Sequence, residues 1–286
     1  MRIDKMTVKI LLITSMALSY STLEAQVTDS AFVMYQKDSA VIPETDPTVV
    51  FFQNNERLTT EAVKKISVVT KSKKLTTLAA FLKGQSMMDY PDVVLADLDK
   101  DGKKELLIYN FTGGAHCCDE IYIFKNIAPN RYQHVVKLFG GHTIITKDNE
   151  FEFSFDESFG YFFTCYACGY EDTSDAAPIP LRRISMKYNN GKVTVAPGDG
   201  ELKNIINDNL GKLGELPYEK LEDEVAMDNG LRKGFAMNLA VFYYSFGRSL
   251  ATTQQLFNKY YKYPDAKKVW TAFIKNLLYI KKDNDF

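Results

Sequence analysis

Up to about Val195 the chain is written in short apolar or alternating runs separated by polar turns. "KISVVT" (Lys65–Thr70) breaks at "KSKK" and is followed by "LTTLAAFL", which suits either a strand or a helix. "DVVLADL" and "ELLIYNF" lie on either side of an acidic stretch, and "EIYIFKN" alternates until "APNRY". "YQHVVKLF" (Tyr132–Phe139) ends at Gly140–Gly141. Earlier, "TVVFFQ" (Thr48–Gln53) has the β-branched and aromatic content of a strand. In "FEFSF" the side chains of Phe151, Phe153 and Phe155 share one face if the backbone is extended. "ISMKYNNGKVTV" predicts a tight hairpin, because Asn190–Gly191 supplies the positive φ angles of a primed turn.

Beyond "APGDGE" the period changes from two to about 3.6. Helices are expected from about Leu202. Leu231, Phe235, Asn238, Leu239, Phe242 and Phe246 fall on one stripe with a single polar interruption, and Gly247 is placed to end that helix. Thr252 and Gln255 have capping-box spacing for the next helix. After Pro264, a last helix carries Val269, Phe273, Leu277 and Ile280 on one face, with Trp270 beside it. The fold class expected is α+β: a β-rich domain with antiparallel hairpins at 26–196, then a helical domain or helical layer at 201–286.

The N-terminus adds a compartment. Arg2, Lys5 and Lys9 precede the apolar run Ile10–Leu18, and "LEA" then offers a cleavage point at Ala25. This is the pattern of a secretory signal peptide over residues 1–25, too short in its apolar core to span a bilayer. No cysteine precedes Cys117, which argues against a lipid-anchored N-terminus, and no later run is apolar enough for a transmembrane segment. A secreted or periplasmic location follows as an expectation. The net charge of −1 gives no basic surface for nucleic acid.

Chemistry concentrates in "ADLDKDGKKELLIYNFTGGAHCCDE" (Ala96–Glu120). Counted from Asp97, acids occupy positions 1, 3, 5 and 9: Asp97, Asp99, Asp101 and Glu105. Gly102 at position 6 lets the chain curl, and the carbonyl of Lys103 at position 7 adds a further oxygen. Alternate short carboxylates on a curled loop suit a hard cation that takes 6–8 oxygens, Ca2+ rather than Mg2+. An EF-hand needs a Glu at position 12 between helices; position 12 is Ile108 and both flanks read as strands. The bland alternative is a polar turn, since Asp and Gly are ordinary turn residues, but four adjacent carboxylates left unpaired repel one another. The pattern D-x-D-x-D-G-x-x-E between strands resembles the calcium loops of FG-GAP and VCBS-type repeat proteins. That resemblance implies Ca2+ bound by Asp97, Asp99, Asp101 and Glu105. It covers about twenty residues, and the chain holds one such loop where a propeller needs several.

The four cysteines fall in two groups, Cys117–Cys118 and Cys165–Cys168. Export makes disulfides the default. Neighbours in a strand point to opposite faces, which favours a bridge between the groups; closing a loop of that size stabilises by about 4 kcal/mol in the chain-entropy model. A vicinal Cys117–Cys118 bridge would instead leave Cys165 to pair with Cys168. Two other readings stay open: a redox-active Cys-x-x-Cys, weakened because "FFTCYACGY" does not look like a helix start, and a Zn2+ or copper site formed with His116. "TGGAHCC" with the later aromatic cysteine segment also resembles a group of exported bacterial proteins, which implies a shared fold and no reaction. No G-x-S-x-G or H-E-x-x-H occurs, and His116, His134 and His142 are the only histidines. The function expected is a calcium-stabilised periplasmic or cell-surface interaction module. Gly113, Gly114 and His116 would face an unknown protein or glycan ligand. The alternative is a thiol–disulfide or metal-assisted hydrolytic enzyme.

Overall fold

The computed structural model describes residues 56–58, 60–85, 92–111, 119–140, 144–145, 150–166, 168, 181–221 and 228–286. The expected signal peptide, the strand at Thr48–Gln53, and Gly113, Gly114, His116, Cys117, Cys118 and His142 lie outside them.

The sheet that carries the acidic stretch is built around β4 (Asp92–Ala96), β5 (Glu105–Phe111), β6 (Asp119–Ala128) and β7 (Arg131–Gly140), a meander of antiparallel neighbours. After Glu105, "LLIY" is apolar at every position because this sheet is covered on both faces. Leu106 and Ile108 enter one core and Leu107 and Tyr109 the other. β1 (Glu56–Arg57) adds to the β4 edge, while β2 (Ser67–Val69) and β3 (Leu75–Thr77) add beyond β7, giving the order β1-β4-β5-β6-β7-β2-β3. β2 lies parallel to β7, and every other pairing in the sheet is antiparallel. The second sheet, β11-β10-β9-β8, is wholly antiparallel and comprises β8 (Ile144–Ile145), β9 (Glu150–Ser154), β10 (Arg183–Asn189) and β11 (Lys192–Val195). β10 and β11 meet at Asn190 (φ 47°) and Gly191 (φ 80°), the primed turn expected there. The fold is α+β.

Among the described residues seven helices complete it. α1 (Thr60–Lys64) and α2 (Leu78–Gly84) belong to the small core, where Leu78 and Phe81 meet Ile108, Tyr122 and Phe124. "LTTLAAFL" is both of its alternatives in turn: β3, then α2, with Thr77 Oγ1 capping the helix by accepting from Ala80 N (3.2 Å). α3 (Asp156–Phe159) is a single turn after β9. α4 (Gly200–Gly214), α5 (Leu231–Ser245), α6 (Leu250–Tyr260) and α7 (Ala266–Asp283) follow.

Among the described residues these last helices share their core with the sheets. One continuous core joins Leu107, Ile121, Ile123 and Leu138 of the first sheet, Phe153, Ile184 and Met186 of the second, and Leu210, Phe235, Phe257 and Phe273 of the helices. "APGDGE" is therefore a packed junction: Gly198 N donates to Ser245 O (2.8 Å), and the Phe246 ring lies so close that a Cβ on Gly198 would come within 2.4 Å of it. Val269, Phe273, Leu277 and Ile280 are buried on α7 as their spacing predicts. α5 departs from a simple stripe and is buried nearly all round, Arg232 and Lys233 included. Its polar interruption, Asn238, accepts from Asn209 Nδ2 of α4 (3.0 Å). Gly247 (φ 90°) follows the end of α5. The capping box proposed at Thr252 is corrected: Ser249 is the cap, its Oγ accepting from Thr252 N (3.2 Å), because α6 starts before Thr252.

Candidate functional site

Ala96 and Glu105 are the last pair of the β4–β5 ladder, so residues 97–104 form the hairpin loop. Leu98 anchors it: the side chain is fully buried, and its N–H donates to Glu105 Oε2 (3.0 Å). Asp97 winds the rest, Oδ1 accepting from Asp101 N (3.1 Å) and Oδ2 from Gly102 N (3.0 Å). So tight a turn needs left-handed backbone at Lys100 (φ 59°) and Gly102 (φ 86°). Nothing lies within 4 Å of a Cβ on Gly102, so the demand for glycine there comes from the backbone, not from crowding.

Asp97, Asp99 and Glu105 each bring one carboxylate oxygen into a group whose members lie within 4.8 Å of one another. Asp101 stands outside this trio. Its Oδ1 accepts from Lys103 N (2.7 Å), the short-range turn bond that an aspartate makes most readily, and its Oδ2 is 3.9 Å from Lys103 Nζ. Turn chemistry thus accounts for Asp101 and for much of Asp97, and leaves Asp99 and Glu105 unexplained.

Asp99 and Glu105 are tied to the second sheet. Asp99 Oδ2 accepts from Asn190 N (2.6 Å), which docks the loop on the β10–β11 turn. Lys125 Nζ steadies that turn from β6 by donating to Asn190 Oδ1 (2.5 Å) and Asn190 O (3.3 Å). The other Asp99 oxygen, Oδ1, is buried without a hydrogen-bond partner. Glu105 is 2% exposed. Burial pushes its carboxyl up from 4.5 to about 7; the Leu98 N–H partly opposes this, and the charges of Asp99 and Asp101 add to it. The buried Tyr188 hydroxyl is beside Glu105 but outside the geometry of a full hydrogen bond. Burial and then the Glu105 charge raise its pKa strongly.

A buried carboxylate oxygen without a donor is costly, and carboxylates crowded this closely resist joint ionisation. A divalent cation among Asp97, Asp99 and Glu105 would relieve both, with carbonyl or water oxygens completing its shell.

The other expected chemistry is partly revised. Cys165 is bonded to Cys168. Neither reaches back to residues 117 and 118, so the cross-brace between these groups is not formed. The turn in which Cys168 N donates to Cys165 O (3.1 Å) brings the two Cα atoms to 5.0 Å, within ordinary disulfide reach. Their thiolates are likewise spent for the Zn2+ or copper reading. His134 is packed against the Tyr122 and Phe124 rings, and burial lowers its pKa.

Sequence spacing does not disclose Leu98 as an anchor, Asn190 as a donor to the loop, or Tyr188 beside Glu105. Asn190 carries a turn signal, yet its contact with Asp99 spans 91 positions. Among the described residues, no helix is long and apolar enough to cross a membrane.

Comparison with protein-family models, with curated proteins and with solved structures returns no match. The chemistry of the loop therefore stands on its own.

Proposed function

We propose that the protein is an exported binding module, secreted or periplasmic, in which Ca2+ held by Asp97, Asp99 and Glu105 fixes the β4–β5 hairpin against the β10–β11 turn. The observation that carries this reading is the pair of otherwise costly features at one point: three carboxylate oxygens within 4.8 Å of one another, and Asp99 Oδ1 buried with no donor. The ion supplies charge neutralisation and cross-linking. It joins a loop of the first sheet to a turn of the second through Asp99, whose Oδ2 is already held by Asn190. The extended flanks and the positive φ of Gly102 suit the calcium loop that the sequence resembles. The partner recognised by the module is a protein or glycan. Export rests on the sequence of residues 1–25.

Calorimetric titration of EDTA-treated protein with CaCl2 tests this reading. The expected outcome is one Ca2+ per chain and weaker binding of MgCl2. At calcium one hundred times its Kd, linkage stabilises the fold by about 2.7 kcal/mol. Asp99→Ala removes both the heat and the calcium-dependent rise in Tm. Absence of heat in the wild type, or a calcium-dependent Tm retained in Asp99→Ala, sinks the proposal.

A further inference from the structure

A second site, independent of the acidic loop, lies where α5 meets the Cys-Tyr-Ala-Cys turn. Lys233 is 8% exposed. Its Nζ donates to Tyr166 O (2.6 Å) and Cys168 O (2.9 Å), both in that turn, and lies 5.7 Å from the centre of the Tyr166 ring. Among the described residues no carboxylate comes within ion-pair distance of it. The charges that face it are Asp156, which favours the ammonium, and Arg182, which opposes it; burial lowers the pKa first of all. Asp156 is itself engaged, with Oδ1 3.8 Å from Arg182 and Oδ2 accepting from Ser154 Oγ (2.8 Å). Among the described residues Lys233 is thus a buried cation supported by carbonyl dipoles and without a carboxylate at ion-pair distance.

A source of an anion in the same turn is the disulfide itself, once reduced. Cys168 N donates to Cys165 Sγ (3.0 Å), a weak contact while the sulfur is neutral and a charge-assisted one once it is a thiolate. Cysteine motifs that exchange disulfides lower their thiol pKa at a helix N-terminus or beside a cation. Here residues 165, 166 and 168 are not helical, and a lysine held on the carbonyls of the same turn and a backbone N–H are the groups available for that role. Both cysteines are half-buried rather than sealed. The exposed Tyr161, whose ring is 5.5 Å from that of Tyr166, offers an aromatic surface next to them.

We propose that Cys165–Cys168 is an exchangeable disulfide that accepts two electrons from a dithiol of another exported protein, with Cys165 held as a thiolate by the Cys168 N–H and the Lys233 ammonium. A donor thiolate attacks Cys165 Sγ, and the S–S electron pair leaves on Cys168, which takes up a proton. The second donor thiol, deprotonated, then attacks its partner's sulfur in the mixed disulfide and releases Cys165 as a thiolate. The donor ends as a disulfide. Of its two protons, one resides on Cys168 and one goes to solvent.

Full-length protein equilibrated in glutathione redox buffers, alkylated and mapped by peptide mass spectrometry tests this. The expected result is reversible reduction of Cys165–Cys168 with the far-UV circular dichroism unchanged. Iodoacetamide should then modify Cys165 first, with a pH profile below the ordinary thiol value of about 8.5. Lys233→Met should shift the equilibrium about tenfold toward the disulfide and move the alkylation profile to higher pH. Lys233→Arg should restore most of both. A lysine that only clamps a bracing disulfide would leave the profile in place. Reduction that occurs only on unfolding, measured on the wild type alone, overturns the proposal even if Lys233→Met fails to fold. So does an unchanged equilibrium and profile in a folded Lys233→Met.

Discussion

Among the described residues, three carboxylates crowd one point at 97–105, whereas at the 165–168 turn a buried ammonium rests on two carbonyls without a carboxylate at ion-pair distance. Arg232, one residue from Lys233, shows what completion looks like. It is fully buried, and it donates from Nε to Asp265 Oδ2 (2.7 Å), from Nη1 to Asp228 Oδ2 (2.7 Å) and from Nη2 to Glu219 O (2.8 Å). Burial opposes its charge, but the bonds to Asp228 and Asp265 outweigh that and raise its pKa. Among the described residues the Arg232 cluster is balanced in charge, and the other two groups are not. Buried charge persists when it is paired. The balanced cluster is complete within the fold; under the two proposals above, an ion would complete the first of the others and electrons that create a thiolate the second.

The largest expected effect tests the balanced member. Arg232→Met strands Asp228 and the Asp265 carboxylate and should cost about 3–5 kcal/mol, the usual penalty for removing one partner from a buried pair. Calcium and reductant should leave that loss unchanged in urea or thermal unfolding. A loss below about 1 kcal/mol would show that the cluster is not a stabilising unit and would remove the contrast with Lys233.

What the sequence discloses follows the same division between local and distant partners. The β4–β5 and β10–β11 hairpins, the stripe on α7 and the winding of the acidic loop depend on neighbours within a few residues, and spacing shows them. The parallel seat of β2 on β7 joins Val68 to Tyr132 across the chain, and no local period encodes it. The all-round burial of α5 is hidden because Arg232 and Lys233 read as a solvated face until Asp265 and the Cys-Tyr-Ala-Cys turn are brought to them. The cysteines behave the opposite way: Cys165 pairs with Cys168 across a local turn, the second of the alternatives, where strand geometry had favoured a longer bridge. Alternation of acids predicts four converging side chains, but a turn bond to Lys103 N competes for Asp101.

A middle-sized effect concerns Glu105 in the calcium-free protein. Its folded-state pKa is raised from 4.5 to about 7, so between those values the folded chain keeps a proton that the unfolded chain has released. Stability is then greatest below about pH 4.5 from this group and is lost as pH rises through about 7, by about 3 kcal/mol. Urea unfolding in EDTA across pH 4.5–7.5 should show that decline against Glu105→Gln, in which it disappears. Saturating calcium should flatten it, because a bound cation favours the ionised carboxylate. A slope that is unchanged by both calcium and Glu105→Gln would mean the carboxylate titrates as if exposed.

The smallest effect separates three ligands from four. Asn at position 101 keeps an oxygen for Lys103 N and removes only the charge. If Asp101 serves the turn, Asp101→Asn should weaken calcium binding less than tenfold, under about 1.4 kcal/mol, while Asp99→Asn costs far more, because Asp99 Oδ1 is the buried oxygen without a donor. Calorimetric titration of both variants decides it. Comparable losses would mean that Asp101 swings away from Lys103 when the ion binds. The loop would then exchange a turn bond for a fourth carboxylate, and its empty form would be a resting arrangement in which Lys103 N takes the place of the cation.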